Sequence, residues 1–239
     1  MADMKFKYTI QPFQTDAVES VADVFQGQPY SDVLTYRRDM GVSAPEPAQM
    51  ALALEDEIDL SIGYANGAMR LSSDQLLENV QKIQTRNNIP LTENLREGAV
   101  GACSLDVEME TGTGKTYVYI KTMFELNRRY GWTKFVVVVP SIAIREGVRK
   151  SFESMREHFK EYYGKIVQSF IYDSGNLQKI DDFSTSADIY AMIINIQAFN
   201  RDFSEDKKGN AIINTATEKF GYRKPIDVIA ANHPIVILD

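Results

Sequence analysis

A glycine-rich segment near the middle of the chain constrains its fold more than any other feature. Residues 110–116 read Glu-Thr-Gly-Thr-Gly-Lys-Thr. Gly112 and Gly114 can take backbone angles, and allow a close approach, that a side chain would forbid, so successive N–H groups can converge on an anion. Lys115 then supplies a flexible cation for the β- and γ-phosphates of a nucleotide, and the Thr116 hydroxyl can join a Mg²⁺ shell. The predicted phosphate-binding residues are Thr111, Gly112, Thr113, Gly114, Lys115 and Thr116.

The sequence on both sides of this phosphate loop (residues 110–116) fits a strand–loop–helix unit. Residues 104–109 alternate polar and apolar side chains, which predicts a strand. Apolar residues at helical spacing follow the loop, and Gly131 marks the end of that helix. One departure is Met109, because the strict nucleotide-loop pattern has Gly there. The alternative interpretation is a glycine-rich turn that binds no ligand.

Composition narrows the class of protein. A chain of 239 residues can form one large α/β domain or two small ones. No apolar run approaches the roughly 20 residues that span a bilayer, and the N-terminus lacks the apolar core of a secretory signal. Cys103 is the single cysteine, which excludes an intrachain disulfide and, with only two histidines, argues against a zinc site. We therefore expect a cytoplasmic protein without a membrane partner.

Three regions follow from the patterning. Residues 1–26 predict an N-terminal helix that begins near Pro12. Its apolar face is expected to comprise Phe13, Ala17, Val21, Val24 and Phe25. Residues 27–100 predict a linker or insert, largely loop over 27–49, with a capping box at Ser72 and a helix near 73–86. Residues 101–239 predict an ATPase-type α/β domain.

Strands and helices alternate from residue 104 onward. Residues 135–139 form a continuous apolar run typical of a strand buried on both faces of a parallel sheet. Further strands are expected at 165–172, 189–196 and 235–238. This order predicts an α/β fold with a doubly wound, mostly parallel sheet.

Asp239 follows the last predicted strand directly. A carboxylate at the carboxyl end of a buried strand is where a phosphate-loop enzyme holds Mg²⁺ through water. The alternative is an incidental capping residue. Because a natural chain would rarely finish at a metal carboxylate, we expect this sequence to be a fragment that is truncated at this strand.

Three phrases make the chain resemble the Res (restriction) subunit of type III restriction endonucleases. They are the phosphate loop with its following helix, Val137-Val-Val-Pro-Ser-Ile-Ala-Ile-Arg-Glu-Gly-Val148, and Met192-Ile-Ile-Asn-Ile-Gln-Ala-Phe-Asn200. The second phrase is much more specific than the first, which many ATPases share. The resemblance covers residues 72–239 well and residues 1–26 more weakly.

This resemblance implies a superfamily-two helicase motor built from two RecA-like domains, with a separate nuclease domain. Lys115 and Thr116 would take ATP and Mg²⁺, and Asp239 would be the first carboxylate of the acidic box, whose expected following Glu is absent. Gln14 matches the glutamine that recognises adenine, with Gln11 as the close competitor. The alternative is that Gln14 is an ordinary solvent-exposed residue of the N-terminal helix.

The resemblance also implies partners. Double-stranded DNA is one of them. Ser141 is the best candidate for a DNA contact and Arg145 is the second, while Asn195 and Gln197 are weaker candidates. Capping and a surface ion pair are the respective alternatives for Ser141 and Arg145. A modification methyltransferase subunit, a second motor domain and the nuclease domain are expected in the full-length parent.

Two rival functions stay open. The first is another superfamily-two DNA helicase or a type I restriction motor. The second is a nucleotide-binding fragment without turnover, and we expect the isolated chain to be nearly inert as an ATPase.

Overall fold

The computed structural model describes residues 8–41, 61–96, 103–199 and 211–239. The chain divides into two compact units. The helical unit comprises residues 1–32, 67–132 and 151–166, and the sheet unit comprises residues 33–66, 133–150 and 167–239. Within the described ranges, no helix is long and apolar enough to cross a membrane.

The helical unit is built around helix α3, Lys115–Tyr130, which begins directly after the phosphate loop. Nearly every residue of its last three turns is buried, and Gly131 ends it in the left-handed conformation, as the sequence predicts. Helix α1, Pro12–Asp23, packs against α3. Lys121 Nζ on α3 donates to Thr15 Oγ1 on α1 at 3.0 Å. The helix that carries Gln14 is thereby held beside the helix that starts at Lys115.

The predicted apolar face of α1 was wrong in detail. Val18 and Ala22 are the buried residues of this helix and were not predicted, and Phe13 is 48% exposed, whereas Val24, directly after the helix, is buried as predicted. Tyr130 on α3 donates to the Ala22 carbonyl at 2.8 Å, so α3 packs against the side of α1 that carries Ala22. Helix α2, Ser73–Arg86, begins with the predicted capping box, in which Ser72 and Gln75 exchange side-chain and backbone hydrogen bonds.

The sheet unit contains a four-stranded parallel sheet, with β3 at Lys134–Val139, β4 at Gln168–Ile171, β5 at Tyr190–Asn195 and β6 at Ile235–Leu238. Their spatial order is β4-β5-β3-β6. All six residues of β3 are buried, as the apolar run predicts. With its flanking helices this is an α/β fold consistent with a RecA-like domain.

Helix α4, Ile142–Tyr163, follows β3, and its residues 142–150 belong to the sheet unit. Helix α5, Gln178–Thr185, precedes β5, and the short helix α6, Pro225–Ala230, precedes β6. Three short 3₁₀ turns complete the described elements, at Ile196–Phe199, Ile212–Asn214 and Glu218–Phe220.

Two strand predictions need correction. Residues 104–109 form no strand, because no strand of the sheet supplies a hydrogen-bonded neighbour to them. β6 exists but is not buried on both faces. It pairs only with β3, so it is an edge strand of the described sheet, with Val236 46% and Leu238 78% exposed.

The sequence did not predict a small antiparallel pair of strands that the structure contains. Strands β1, Leu34–Arg37, and β2, Ile62–Ala65, pair in a region that the sequence predicts as loop and linker. Asn232 anchors both strands, donating to Tyr36 Oη at 2.8 Å and to the Tyr64 carbonyl at 3.0 Å. Tertiary contacts from a distant part of the chain therefore create this pair. The rest of the predicted loop, residues 42–49, lies outside the described residues.

Candidate functional site

The phosphate loop has the backbone shape that its glycines predict. Gly112 and Gly114 have φ angles of +82° and +92°, in the left-handed region that favours glycine. Gly114 is the N-cap of α3, so Lys115 and Thr116 occupy its first turn. No atom lies within 4 Å of the position that a Cβ would take at Gly112. The loop thus leaves open space next to a helix N-terminus, which is a favourable place for an anion.

The backbone carbonyl oxygen of Glu110 accepts hydrogen bonds from two side chains of the phosphate loop. It accepts from Lys115 Nζ at 3.0 Å and from Thr113 Oγ1 at 2.6 Å. Both the Lys115 side chain and the Thr111 side chain are exposed. The ammonium group of Lys115 therefore rests on a neutral backbone acceptor, and a phosphate oxygen would be the stronger partner because the hydrogen bond would join two charged groups.

Gln14 lies against the phosphate loop. Its Nε2 donates to the backbone carbonyl of Thr113 at 2.8 Å, and a Cβ at Gly114 would lie 2.6 Å from the same nitrogen. A side-chain amide carries two N–H donors and one carbonyl acceptor, so Gln14 keeps one N–H and its Oε1 for another partner. The structure therefore brings this candidate and the loop together. Within the described residues, Gln11 makes no side-chain cap bond at the start of α1.

An aromatic cluster supports the first turn of α3. Tyr117 is buried, and its hydroxyl shares a hydrogen bond of 3.1 Å with His158 Nε2. Tyr8 stacks near Tyr117, with 6.3 Å between ring centroids. Burial lowers the pKa of His158 and raises the pKa of Tyr117, because water no longer stabilises either charged form. Packing thus accounts for His158, and the cluster fixes the position of Tyr117, the residue that follows Thr116.

The two DNA-contact candidates lie in the sheet unit, where β3 leads into α4. Ser141 Oγ accepts from the Ile144 N–H at 3.3 Å, which is a capping hydrogen bond. Its own O–H remains a donor. Arg145 donates to Glu146 at 3.3 Å, and Arg149 donates to the same carboxylate at 3.1 Å. The hydrogen bond from Arg149, and then that from Arg145, lowers the pKa of Glu146.

Both alternative roles of these candidates are therefore present, yet two arginines share one carboxylate. The guanidinium group of Arg145, near the start of α4, is compatible with a phosphate contact. Asn195 is the last residue of β5, and Gln197 lies in the 3₁₀ turn that follows it. Asn195 is buried and its Oδ1 accepts from the Gln197 N–H at 3.0 Å, while Gln197 is exposed.

Asp239 also belongs to the sheet unit, immediately after β6. It is exposed, and its N–H donates to the Val138 carbonyl at 3.0 Å. Across the described ranges, no group of three or more His, Cys, Asp or Glu side chains is arranged to hold a metal ion. A magnesium site that depends on Thr116 and Asp239 therefore stays a prediction. Thr116 fits the part assigned to it, since a hydroxyl on the first turn after a phosphate loop is a suitable magnesium ligand.

The family comparison decides the kind of protein to which this chain belongs. The profile described as "Type III restriction enzyme, res subunit" matches residues 69–229, a range that includes the phosphate loop and most of the sheet. The chain belongs to the type III restriction enzyme Res subunit family. Membership implies a helicase-like domain that binds a nucleotide.

Three Res subunits are similar to this chain. The EcoPI Res subunit of Escherichia phage P1 is 28% identical over 197 residues, which are 77% of this chain and 20% of that protein. The EcoP15I Res subunit of Escherichia coli is 29% identical over 187 residues, or 73% of this chain and 19% of that protein. The StyLTI Res subunit of Salmonella typhimurium is 34% identical over 155 residues, which are 57% of this chain and 15% of that protein. The chain thus spans about a fifth of the length of the relatives that it matches.

Proposed function

We propose that this chain is the first ATPase motor domain of a type III restriction endonuclease, an enzyme that couples ATP hydrolysis to action on double-stranded DNA. The observation that carries the proposal is the contact between Gln14 and the phosphate loop. A loop of left-handed glycines, a lysine and a hydroxyl is built for phosphate, and a glutamine amide beside it offers the paired donor and acceptor that an adenine edge needs. Family membership supports the same assignment.

Each residue of the helical unit has a defined part in the proposal. The N–H groups around Gly112 and Gly114 would receive phosphate oxygens, and Lys115 would leave the Glu110 carbonyl for the β- and γ-phosphates. The exchange is favourable because a hydrogen bond between charged groups is roughly twice as strong as one to a neutral acceptor. The Thr116 hydroxyl would face Mg²⁺. When bound, Mg²⁺ would supply positive charge for the phosphate groups, and Thr116 would help to hold it.

Gln14 would have two roles at once. One N–H of its amide already holds the Thr113 carbonyl, and the remaining N–H and Oε1 would pair with adenine. Recognition of the base would therefore be linked to the position of the loop that holds the phosphates. Asp239 is the carboxylate that we propose as a second magnesium ligand beside the Thr116 hydroxyl.

DNA would contact the start of α4. The Ser141 O–H would donate to a backbone phosphate while its Oγ keeps the capping bond. Arg145 would add charge that carries no base information, so binding here should depend on salt and little on sequence. Recognition of a DNA site is assigned to a modification methyltransferase partner, and cleavage to a nuclease domain of the full-length parent.

Amide NMR tests the nucleotide site directly. When ATP and Mg²⁺ are added to the 239-residue chain, the N–H signals of Gly112 and Gly114 should shift more than those of distant glycines such as Gly67. GTP should produce smaller shifts because Gln14 favours adenine. If saturating ATP leaves both loop signals in place, the proposed function is wrong.

A further inference from the structure

A buried lysine on the second turn of α3 has no part in the function proposed above. The side chain of Lys121 is 3% exposed, and its Nζ donates to Thr15 Oγ1 on α1 at 3.0 Å. Burial of an ammonium group costs free energy unless its partners compensate, and a carboxylate would compensate better than a neutral hydroxyl. An apolar side chain would fill the same space without this cost, so packing alone does not explain a lysine here.

The other groups around Lys121 support its charge from a greater distance. The Tyr162 ring has its centre 5.6 Å from Lys121 Nζ, which is a favourable cation–π distance. Burial lowers the pKa of Lys121, while the charges of Glu125 and Glu19 raise it. Glu125 accepts hydrogen bonds from Arg128 at 2.6 Å and from the Tyr163 hydroxyl. In the described part of the chain, the hydrogen bond of the Lys121 ammonium group is therefore directed at α1.

The first turn of α1 has few apolar contacts to hold it. Gln11, Pro12 and Phe13 are all exposed, and the helix has no side-chain cap at its start. The buried residues of the helix, Val18 and Ala22, lie further along. The position of the first turn must therefore depend largely on polar contacts.

Two adjacent residues make those polar contacts. Gln14 Nε2 donates to the Thr113 carbonyl of the phosphate loop at 2.8 Å, and Thr15 Oγ1 accepts from Lys121. Neighbouring residues of an α-helix project about 100° apart around its axis. One such bond would let the first turn rotate about the point of contact, whereas two bonds in different directions fix its rotation.

The last turn of α1 has separate contacts with α3. Arg129 Nη1 donates to Asp23 Oδ1 at 2.7 Å, and the Tyr130 hydroxyl donates to the Ala22 carbonyl at 2.8 Å. These contacts hold the two helices together without fixing the residues around Gln14. The same helix pair therefore offers a structural contact, Arg129 with Asp23, to compare with the contact of Lys121 with Thr15.

We propose that Lys121 is a positioning residue for base selection, which fixes the rotation of the first turn of α1 through Thr15 and thereby directs the free amide groups of Gln14. This inference rests on the proposed function, in which Gln14 recognises adenine. Lys121 itself touches no nucleotide. Adenine and guanine differ in the donors and acceptors of the base edge, so a small rotation of the Gln14 amide should reduce discrimination between them.

The first test needs no ligand. In the full 239-residue chain, amide NMR observes the Gln14 side-chain amide, which is assigned by its loss in Gln14→Ala, and the Gly114 N–H. Both signals should shift in Lys121→Met and stay in place in Arg129→Met. Unchanged Gln14 signals in Lys121→Met would overturn the proposal, whatever the chain binds.

The second test compares ATP and GTP, each with Mg²⁺, by isothermal titration. The preference for ATP should fall about two- to tenfold in Lys121→Met, the effect of one lost hydrogen bond. Urea stability of this variant should be unchanged or higher, because an apolar side chain replaces a buried charge. Arg129→Met should show the opposite pattern, with lower stability and an unchanged preference. A lower stability and an unchanged preference in Lys121→Met would assign Lys121 a structural role only.

Thr15 provides a second pair of variants with little change in volume. Thr15→Val removes the acceptor and should reduce the ATP preference like Lys121→Met, whereas Thr15→Ser keeps the hydroxyl and should preserve it. If the unchanged chain prefers ATP and both Lys121→Met and Thr15→Val keep that preference, this inference is wrong and the proposed function stands. If the unchanged chain binds neither nucleotide, the proposed function fails and the inference fails with it.

Discussion

The side-chain amide of Gln14 donates a hydrogen bond of 2.8 Å to the backbone carbonyl of Thr113, across 99 positions of sequence. This bond ties helix α1 to the phosphate loop, and the next residue of α1, Thr15, accepts a hydrogen bond from Lys121 on α3. Any ligand that moves the loop therefore acts on α1 as well. A residue expected to recognise a base also supports the loop that is expected to hold the phosphates.

Replacement of Gln14 by Ala should weaken ATP binding about two- to tenfold, because one hydrogen bond that positions the loop is lost. The preference for ATP over GTP should fall in the same variant. Isothermal titration with both nucleotides measures the two effects. Gln11→Ala is the matched control, since Gln11 is exposed at the start of the same helix. If ATP preference survives in Gln14→Ala and is lost in the control, Gln11 is the adenine residue.

The two loop glycines should respond differently to alanine. Gly112→Ala introduces strain from its positive φ but no contact, so the free energy of unfolding should fall by about 1–2 kcal/mol. Gly114→Ala adds a collision with Gln14 Nε2 and should cost more. The double variant Gln14→Ala, Gly114→Ala removes that collision and should recover part of the loss in urea unfolding. Strict additivity of the two single changes would contradict this close contact.

Local pattern was enough to predict much of the fold. The apolar run at 135–139, the capping box at Ser72 and the glycine that ends α3 each depend on neighbours in sequence, and all three are confirmed. The strand expected at 104–109 depended on a partner strand, which no local pattern can supply. The prediction of the buried face of α1 was partly wrong for the same reason, because packing against α3 decides which side of α1 is buried.

The candidate sites divide in the same way. The glycines and the lysine of the phosphate loop are recognisable from their spacing alone. The positive φ angles of Gly112 and Gly114 agree with the predicted glycine turn. The cluster of Arg38, Asp181 and Arg223 joins three distant parts of the chain, and none of its residues stands in a recognisable motif. Only the folded structure brings these three charged side chains into contact. The role of Glu110 was missed because its acceptor is a backbone carbonyl, which carries no sequence signal.

Stability should depend on pH through Lys134, the first residue of β3. This side chain is fully buried, and its Nζ donates to the carbonyls of Phe183 and Ser186 near the end of α5. Burial lowers the pKa of Lys134 to about 7. The neutral amine has two N–H donors, which match the two carbonyls, so the neutral form satisfies the site.

The direction of this pH effect follows from proton binding. Between pH 7 and the usual lysine pKa of 10.5, the unfolded chain holds a proton on Lys134 that the folded chain has released. The free energy of unfolding should therefore rise with pH, by at most about 1.4 kcal/mol per unit. Urea unfolding at pH 7, 8 and 9 measures the slope. The slope should disappear in Lys134→Met, and an equal slope in that variant would assign it to other groups.

Asp181 should be needed for folding of the sheet unit, because it is the only carboxylate shared by the two buried guanidinium groups among the described contacts. Asp181→Asn takes the carboxylate partner away from the buried guanidinium group of Arg223 and should lower the free energy of unfolding by about 3–5 kcal/mol. The neighbouring Asp182 is exposed, so Asp182→Asn is the control and should change it by less than about 0.5 kcal/mol. Similar losses in the two variants would contradict the charge account.

The affinity of the chain for ATP with Mg²⁺, measured by isothermal titration in Lys115→Ala and Lys82→Ala, tests the central claim most directly. Both lysines are exposed in the helical unit, and in the described part of the chain Lys82 pairs with Glu78 along α2. Lys115→Ala should bind ATP about tenfold or more weakly, because a charge-assisted phosphate contact worth roughly 1.5–3 kcal/mol is lost. Lys82→Ala should bind like the unchanged chain. Equal ATP affinity in a folded Lys115→Ala variant would show that the loop is not a nucleotide site.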